Sequence, residues 1–155
     1  MNNKNTIKGL EQGRAKFAYE CALEGKKILK KVLIRTEWFE DGNYKSYVER
    51  IPMWVKTNGL GSTFAFIKSK RRKEKKGEKP GEKENPKNAY DLIYEQTKQW
   101  LKKDEKSLLT INEGDDLVKK IILLESSVYR AITNEVLAFF NWLTRFAEGL
   151  IESEA

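Results

Sequence analysis

Four features of this 155-residue chain have the residue types for chemistry: the carboxylate pair Asp115-Asp116, the glycine pair in Gly59-Leu60-Gly61, the lone Cys21, and a large excess of lysine and arginine. Adjacent carboxylates can hold a divalent metal, but a hydrolytic metal site needs several that converge from defined spacings. No further Asp or Glu stands at matching spacing, so the pair reads as the negative N-terminus of a short helix, LVKKIILL, running to Leu124. Gly59-Leu60-Gly61 is not a phosphate loop, because it follows a helical pattern and lacks the further glycine and lysine. A single cysteine forms no intrachain disulfide. Histidine is absent, which removes the imidazole base, the Ser-His and Cys-His pairs and every His-ligated metal. No catalytic constellation and no cofactor are expected, and the remaining chemistry is cationic.

The net charge is +7 and it is unevenly placed. Residues 1–36 carry nine Lys/Arg and three Glu; residues 68–87 carry ten Lys/Arg and four Glu; the remainder is net acidic. Two local basic zones suit a polyanion better than an evenly basic surface would. Solvated Lys/Glu faces of the kind common in thermophiles give the same composition. With 39% hydrophobic residues, four Trp and seven Phe, the chain has a core to bury, and its length suits one domain, 1–155. No apolar run approaches the ~20 residues of a membrane span. The N-terminus MNNKNTIKGLEQG has no apolar signal-peptide core. A cytoplasmic location with no membrane partner is therefore expected.

The elements that would position these charges centre on Tyr44–Ile67. There Asn58-Gly59 reads as one helix end and Gly61-Ser62 as the next helix start, with the serine as cap. Pro52 is expected in the first turn of the earlier helix, where its missing N–H costs nothing. Helices are expected at 6–27, continuing to about Arg35, and at 45–58, 61–70, 88–103 and 126–152, besides the short one after Asp116. Asp41-Gly42-Asn43 marks a turn, with a β-hairpin across it as the weaker alternative. Core candidates are Ile7, Leu10, Phe17, Ala18 and Cys21; then Tyr47, Val48, Ile51, Trp54, Val55, Leu60, Phe64, Phe66 and Ile67; then Tyr90, Ile93, Thr97 and Trp100. In the last helix Val128, Ile132, Val136, Phe139, Leu143, Phe146 and Leu150 recur at helical spacing, with Ser126 or Ser127 as cap. Leu137 stands off that stripe near Thr133 and Thr144, while Arg130, Asn134, Asn141 and Arg145 share the far face. Arg14 and Glu135 each border an apolar stripe and form a candidate ion pair. Residues 69–88, SKRRKEKKGEKPGEKENPKN, offer nothing apolar to bury and read as a mobile basic loop, with 71–87 as the insertion proper. The fold class is all-α, a compact bundle of about six helices.

Two stretches carry a family resemblance. Tyr44-x2-Tyr47, then Pro52, then NGLGSTFAFIKSK, together with YRAITNEVLAFFNWLTRFAEGLI (Tyr129–Ile151), resemble the small α-helical subunit of the Cmr type (type III-B) CRISPR RNA-silencing complex. Arg14-Ala15, Ala18 and the Ala89–Leu101 tract fall in the same order. The resemblance covers the chain except 28–43 and the basic loop. It implies an all-α subunit that is not an enzyme, stacked with further copies of itself beside the repeating Cmr backbone subunits. It also implies contact with the guide RNA–target RNA duplex through phosphates.

Such contacts are blind to sequence, as a complex programmed by base pairing requires. The expected RNA-binding residues are Lys8, Lys16, Lys45, Lys56, Lys68 and Lys70 on or beside the family-like segments. Arg71 and Arg72 open the loop. Arg130 and Arg145 suit either RNA or a neighbouring subunit. The aromatics, being at helical spacing, are expected in the core rather than as base-stacking platforms. A helical adaptor that binds only protein is the competing reading, and it predicts no salt-dependent RNA affinity.

Overall fold

A computed structural model describes residues 7–33, 43–71, 88–103, 108–112 and 114–151, with the side chains of 7, 8, 10 and 28–33 excepted. Six helices make up these residues: α1 (Ile7–Leu33), α2 (Tyr44–Asn58), α3 (Leu60–Lys70), α4 (Ala89–Lys103), α5 (Leu117–Ile122) and α6 (Ser126–Leu150). There is no strand among them, so the all-α expectation holds. The hairpin alternative around residue 41, Arg72 and the rest of the basic insertion lie outside the described residues.

α6 is the spine. Its apolar stripe buries Ile132, Val136, Phe139, Leu143 and Ala147, and α1 packs along most of its length with α2 beside it. α3 joins α2 to α4 and α5. Phe140, which the stripe of spacings omits, is also fully buried. The helix contacts more than one neighbour, so its buried arc is wider than a single seam. Trp100, Phe17 and Phe139 form a triangle of rings, the Trp100 centroid 5.5 Å and 5.8 Å from theirs and those two 5.9 Å apart. One turn away along α1 and α4 the Tyr44 hydroxyl donates to Gln96 Oε1 at 2.6 Å. The Gln96 amide in turn donates to the Cys21 carbonyl and to Glu24 Oε1 at 3.0 and 2.9 Å. A buried amide and phenol thus satisfy each other, as burial demands. Burial also pushes the Cys21 thiol up, so it stays protonated and inert.

The turn between α2 and α3 is tighter than the sequence suggests. Gly59, at φ 89°, closes α2 with its N–H on the Val55 carbonyl at 2.9 Å and opens α3 in the same residue. Only glycine takes that conformation without strain. α3 therefore begins at Leu60, and Ser62 is already an exposed helical residue rather than the cap. With α3 starting at Leu60, Gly61 N–H is one of the first-turn amides without a helical partner, and it donates to the Tyr129 hydroxyl of α6 at 2.8 Å. α6 likewise has no serine cap: Glu125 is the cap residue by backbone alone, and Ser126 and Ser127 lie inside the helix. Asp116 does cap α5, accepting from Val118 N–H at 3.0 Å.

Pro52 is not in a first turn either. α2 starts at Tyr44, which places the proline in mid-helix. A proline there leaves the carbonyl four residues earlier without its helical donor. That carbonyl belongs to Val48, and the Thr144 hydroxyl of α6 donates to it at 3.4 Å. The tertiary contact replaces the missing helical bond, which is why α2 runs through the proline.

Candidate nucleic-acid interface

The cations divide into those the fold occupies and those it leaves to solvent. Arg14 belongs to the first group. Its Nη2 meets Glu135 Oε2 at 2.6 Å, the carboxylate side chain being 2% exposed. α1 and α6 are pinned there by the ion pair that the apolar stripes implied.

Arg71 is the most heavily engaged of the expected RNA ligands. Its Nε donates to Asp91 Oδ1 at 2.6 Å and its Nη2 to Glu95 Oε1 at 3.1 Å, while the guanidinium lies 4.2 Å over the Tyr94 ring. A planar fork can hold two carboxylates and a ring at once, which an ammonium cannot. Next to it the Asn88 side chain donates to the Lys70 carbonyl at 2.9 Å and accepts from Asp91 N–H at 2.8 Å. The described residues on either side of the insertion, Arg71 and Asn88, are therefore held close together.

Lys68 is paired with Asp116. Partial burial works against the charged carboxylate. The Lys68 ammonium, the α5 backbone and the Tyr94 hydroxyl, which donates at 3.3 Å, outweigh it and hold Asp116 below the usual carboxylate value. Tyr94 Oη also accepts from Leu117 N–H at 3.1 Å, and burial, then the Asp116 charge, raises the phenol. The acidic pair thus works as a helix cap and ion-pair partner, and no cluster of metal-ligating side chains occurs among the described residues. Lys45, half-buried, donates to the Ile151 carbonyl at 3.3 Å, where a cation meets the negative end of α6.

The remaining expected ligands are open. Lys16, Lys56, Arg130 and Arg145 are exposed and have no carboxylate partner among the described residues. Lys70 is exposed, its ammonium 5.6 Å over the Phe66 ring. Lys8 lies on α1 with its side chain outside the described set. Two of these, Lys56 of α2 and Arg145 of α6, line a common groove of about 360 Å³. Glu49, Pro52, Leu137, Asn141, Thr144 and Glu148 complete its walls. Arg130 stands fifteen residues before Arg145, about 22 Å along the helix, so it does not belong to the groove. The α6 wall was legible as the off-stripe Leu137 with Asn141, Thr144 and Arg145. The α2 wall was not singled out, although Glu49, Pro52 and Lys56 follow the i, i+3, i+7 spacing of one face. Arg50 of α2 is also exposed.

No helix of the described residues is long and apolar enough to cross a membrane. A family model described as CRISPR-associated protein (Cas_Cmr5) matches residues 10–150. The fold is similar to the crystal structure of a CRISPR-associated Cmr5 family protein from Thermus thermophilus. The two are 26% identical, with 92% of this chain and 97% of that chain covered and a TM-score of 0.61.

Proposed function

As the chain belongs to the Cmr5 family of CRISPR-associated proteins, we propose that it serves as the non-catalytic small subunit of a type III-B guide-RNA effector complex in the cytoplasm. In this reading it is one helical domain, 1–155, with 71–87 as its basic insertion. It stacks with further copies beside the repeating backbone subunits and touches the guide–target duplex through phosphates. The observation that carries the RNA part is the set of exposed cations without carboxylate partners: Lys16, Lys56, Lys70, Arg130 and Arg145. Cations already spent on the protein's own carboxylates gain little from a phosphate, so Arg71 and Lys68 rank below these, and Lys45 ranks with them. Lys8 and Arg72 complete the proposed set on sequence grounds alone.

The test is purification of the tagged protein from its native cells, followed by RNA binding of the isolated chain across a salt series. Recovery of short guide RNAs with backbone subunits is expected. So is an affinity that falls steeply with salt, log K against log salt having a slope near −0.9 for each phosphate contacted on a duplex, on the B-DNA scale. Recovery of neither would overturn the reading.

One observation favours a second role for part of this surface. Glu49 and Glu148 line the groove together with Lys56 and Arg145. Mixed signs repel a uniform polyanion as much as they attract it, and they suit a protein with complementary charges. In that reading the groove faces a neighbouring subunit, and RNA contact falls to Lys16, Lys70 and Arg130.

A further inference from the structure

Four aromatic side chains from three helices join into a surface row outside the buried core. Tyr47 of α2 stacks on Tyr90 of α4 with centroids 4.1 Å apart and planes 16° from parallel. Phe66 of α3 sets its ring nearly perpendicular to Tyr90 at 6.0 Å, and Trp54 of α2 sets its own nearly perpendicular to Phe66 at 5.6 Å. Phe66 is 41% exposed, against the expectation that it belongs to the core; Tyr47, Trp54 and Tyr90 are partly buried. Phe66 points away because the buried arc of α3 is set by Leu60, Phe64 and Ile67. Met53, next to Trp54 on α2, is 70% exposed. Arg50 shares the i, i+3, i+7 arc of Tyr47 and Trp54, is exposed, and has no carboxylate partner among the described residues. Lys70 closes the other side of the row over Phe66.

We propose that this row, with Met53 at its edge and Arg50 and Lys70 at its rim, docks an acidic amphipathic segment of another protein of the assembly. The inference rests on the assembly reading above but not on the RNA contacts. Aromatics, methionine and arginine are the types that concentrate where proteins bury surface on one another. The rim sets the sign: Arg50 and Lys70 flank the rings. An occupant with apolar residues between carboxylates meets both the rings and the rim. The insertion itself has only Pro80 and Pro86 as apolar side chains and no aromatic residue with which to cover the row. Unpaired bases are the poorer match despite the positive rim, because a stacking platform needs a free ring face. Here Tyr47 and Tyr90 cover each other's faces and an ammonium lies over one face of Phe66. The thioether of Met53 also offers nothing to a base edge.

The experiment is photo-crosslinking in the assembled complex, with p-benzoylphenylalanine in place of Phe66 and, separately, of Met53, and sequencing of the crosslinked species. The expected product is an apolar segment with flanking Asp or Glu in a different polypeptide. Crosslinks to RNA, to a second copy of this chain, to any other part of its own chain, or none at either position, would overturn the proposal. In parallel, Phe66→Glu and Met53→Glu should cut recovery of the complex on the tagged protein at least tenfold, while the uncharged Met53→Ser, which gives Lys56 and Lys70 no new carboxylate, should keep RNA affinity of the isolated protein within twofold of the parent. Met53 touches too little for its substitution to unfold the chain, so undiminished recovery with M53E also counts against the proposal. Failure of the RNA reading is seen separately, as absent RNA binding by the unsubstituted protein.

Discussion

At the scale of single residues the structure assigns cost to particular atoms. Glu135 is buried against Arg14 at 2.6 Å. Removing one partner of a buried pair strands the other, at a cost of about 3–5 kcal/mol. Glu135→Ala is therefore expected to lower the melting temperature markedly, and the double replacement Arg14→Met with Glu135→Leu to recover much of the loss; calorimetry of the three variants decides it. Gly25 gives a case where two effects oppose. Alanine is the better helix former by about 1 kcal/mol, yet a Cβ at position 25 would come within 2.3 Å of the ring of the fully buried Tyr44. The ring cannot retreat while its hydroxyl holds Gln96 at 2.6 Å. Overpacking costs about 1–3 kcal/mol, so Gly25→Ala should destabilise despite its propensity, as a denaturant midpoint would show. Asp116 carries a pH dependence. Its carboxyl is held below the unfolded value, so its share of stability is present above about pH 4 and is lost as pH falls through the folded value. Asp116→Asn should leave the acid limb of the stability curve shallower, by urea titration between pH 2 and 6.

At the scale of elements the proline in α2 is the informative feature. Thr144→Val should cost about 1 kcal/mol by leaving the Val48 carbonyl without its donor. With Pro52→Ala in place the helix supplies its own N–H, and the same threonine change should cost nearly nothing; a double-mutant cycle reads the difference. The sequence alone shows how far such features are legible. Helix identities and most of the core follow from periodicity, because an amphipathic helix repeats its pattern many times. Caps and termini rest on single residues. Ser62 and Ser126 look like caps, but the Gly61 amide is met by Tyr129, sixty-eight positions away, and Glu125 supplies only backbone. The first-turn position expected for Pro52 fails for the same reason, since nothing local announces that Thr144 will serve the Val48 carbonyl. The Arg14–Glu135 pair is legible because each charge interrupts an apolar stripe, whereas the ties of Arg71 and Lys68 come from helices whose relative placement no spacing reveals. Phe66 reads as core in the sequence because Leu60, Phe64, Phe66 and Ile67 together overfill the arc that α3 buries.

At the scale of the whole molecule, the spread of Lys16, Lys56, Lys70, Arg130 and Arg145 over several helices implies weak, additive phosphate contacts rather than one pocket. Replacing any one with alanine should weaken RNA binding only several-fold and reduce the salt slope by about one. A different consequence follows from the clasp in which Asn88 holds the Lys70 carbonyl and Arg71 grips Asp91 and Glu95. The two ends of the 72–87 excursion are already brought together by contacts that belong to the bundle. Closing entropy grows only slowly with length, each doubling adding about 0.6 kcal/mol, so the bundle should be nearly indifferent to what hangs there. Exchange of 72–87 for eight Gly/Ser residues should shift the melting temperature by no more than a few degrees. The position is in effect a splice point: a fluorescent module whose own termini lie side by side could be grafted between Arg71 and Asn88. The subunit would then report its own recruitment, one emitter per copy, in living cells.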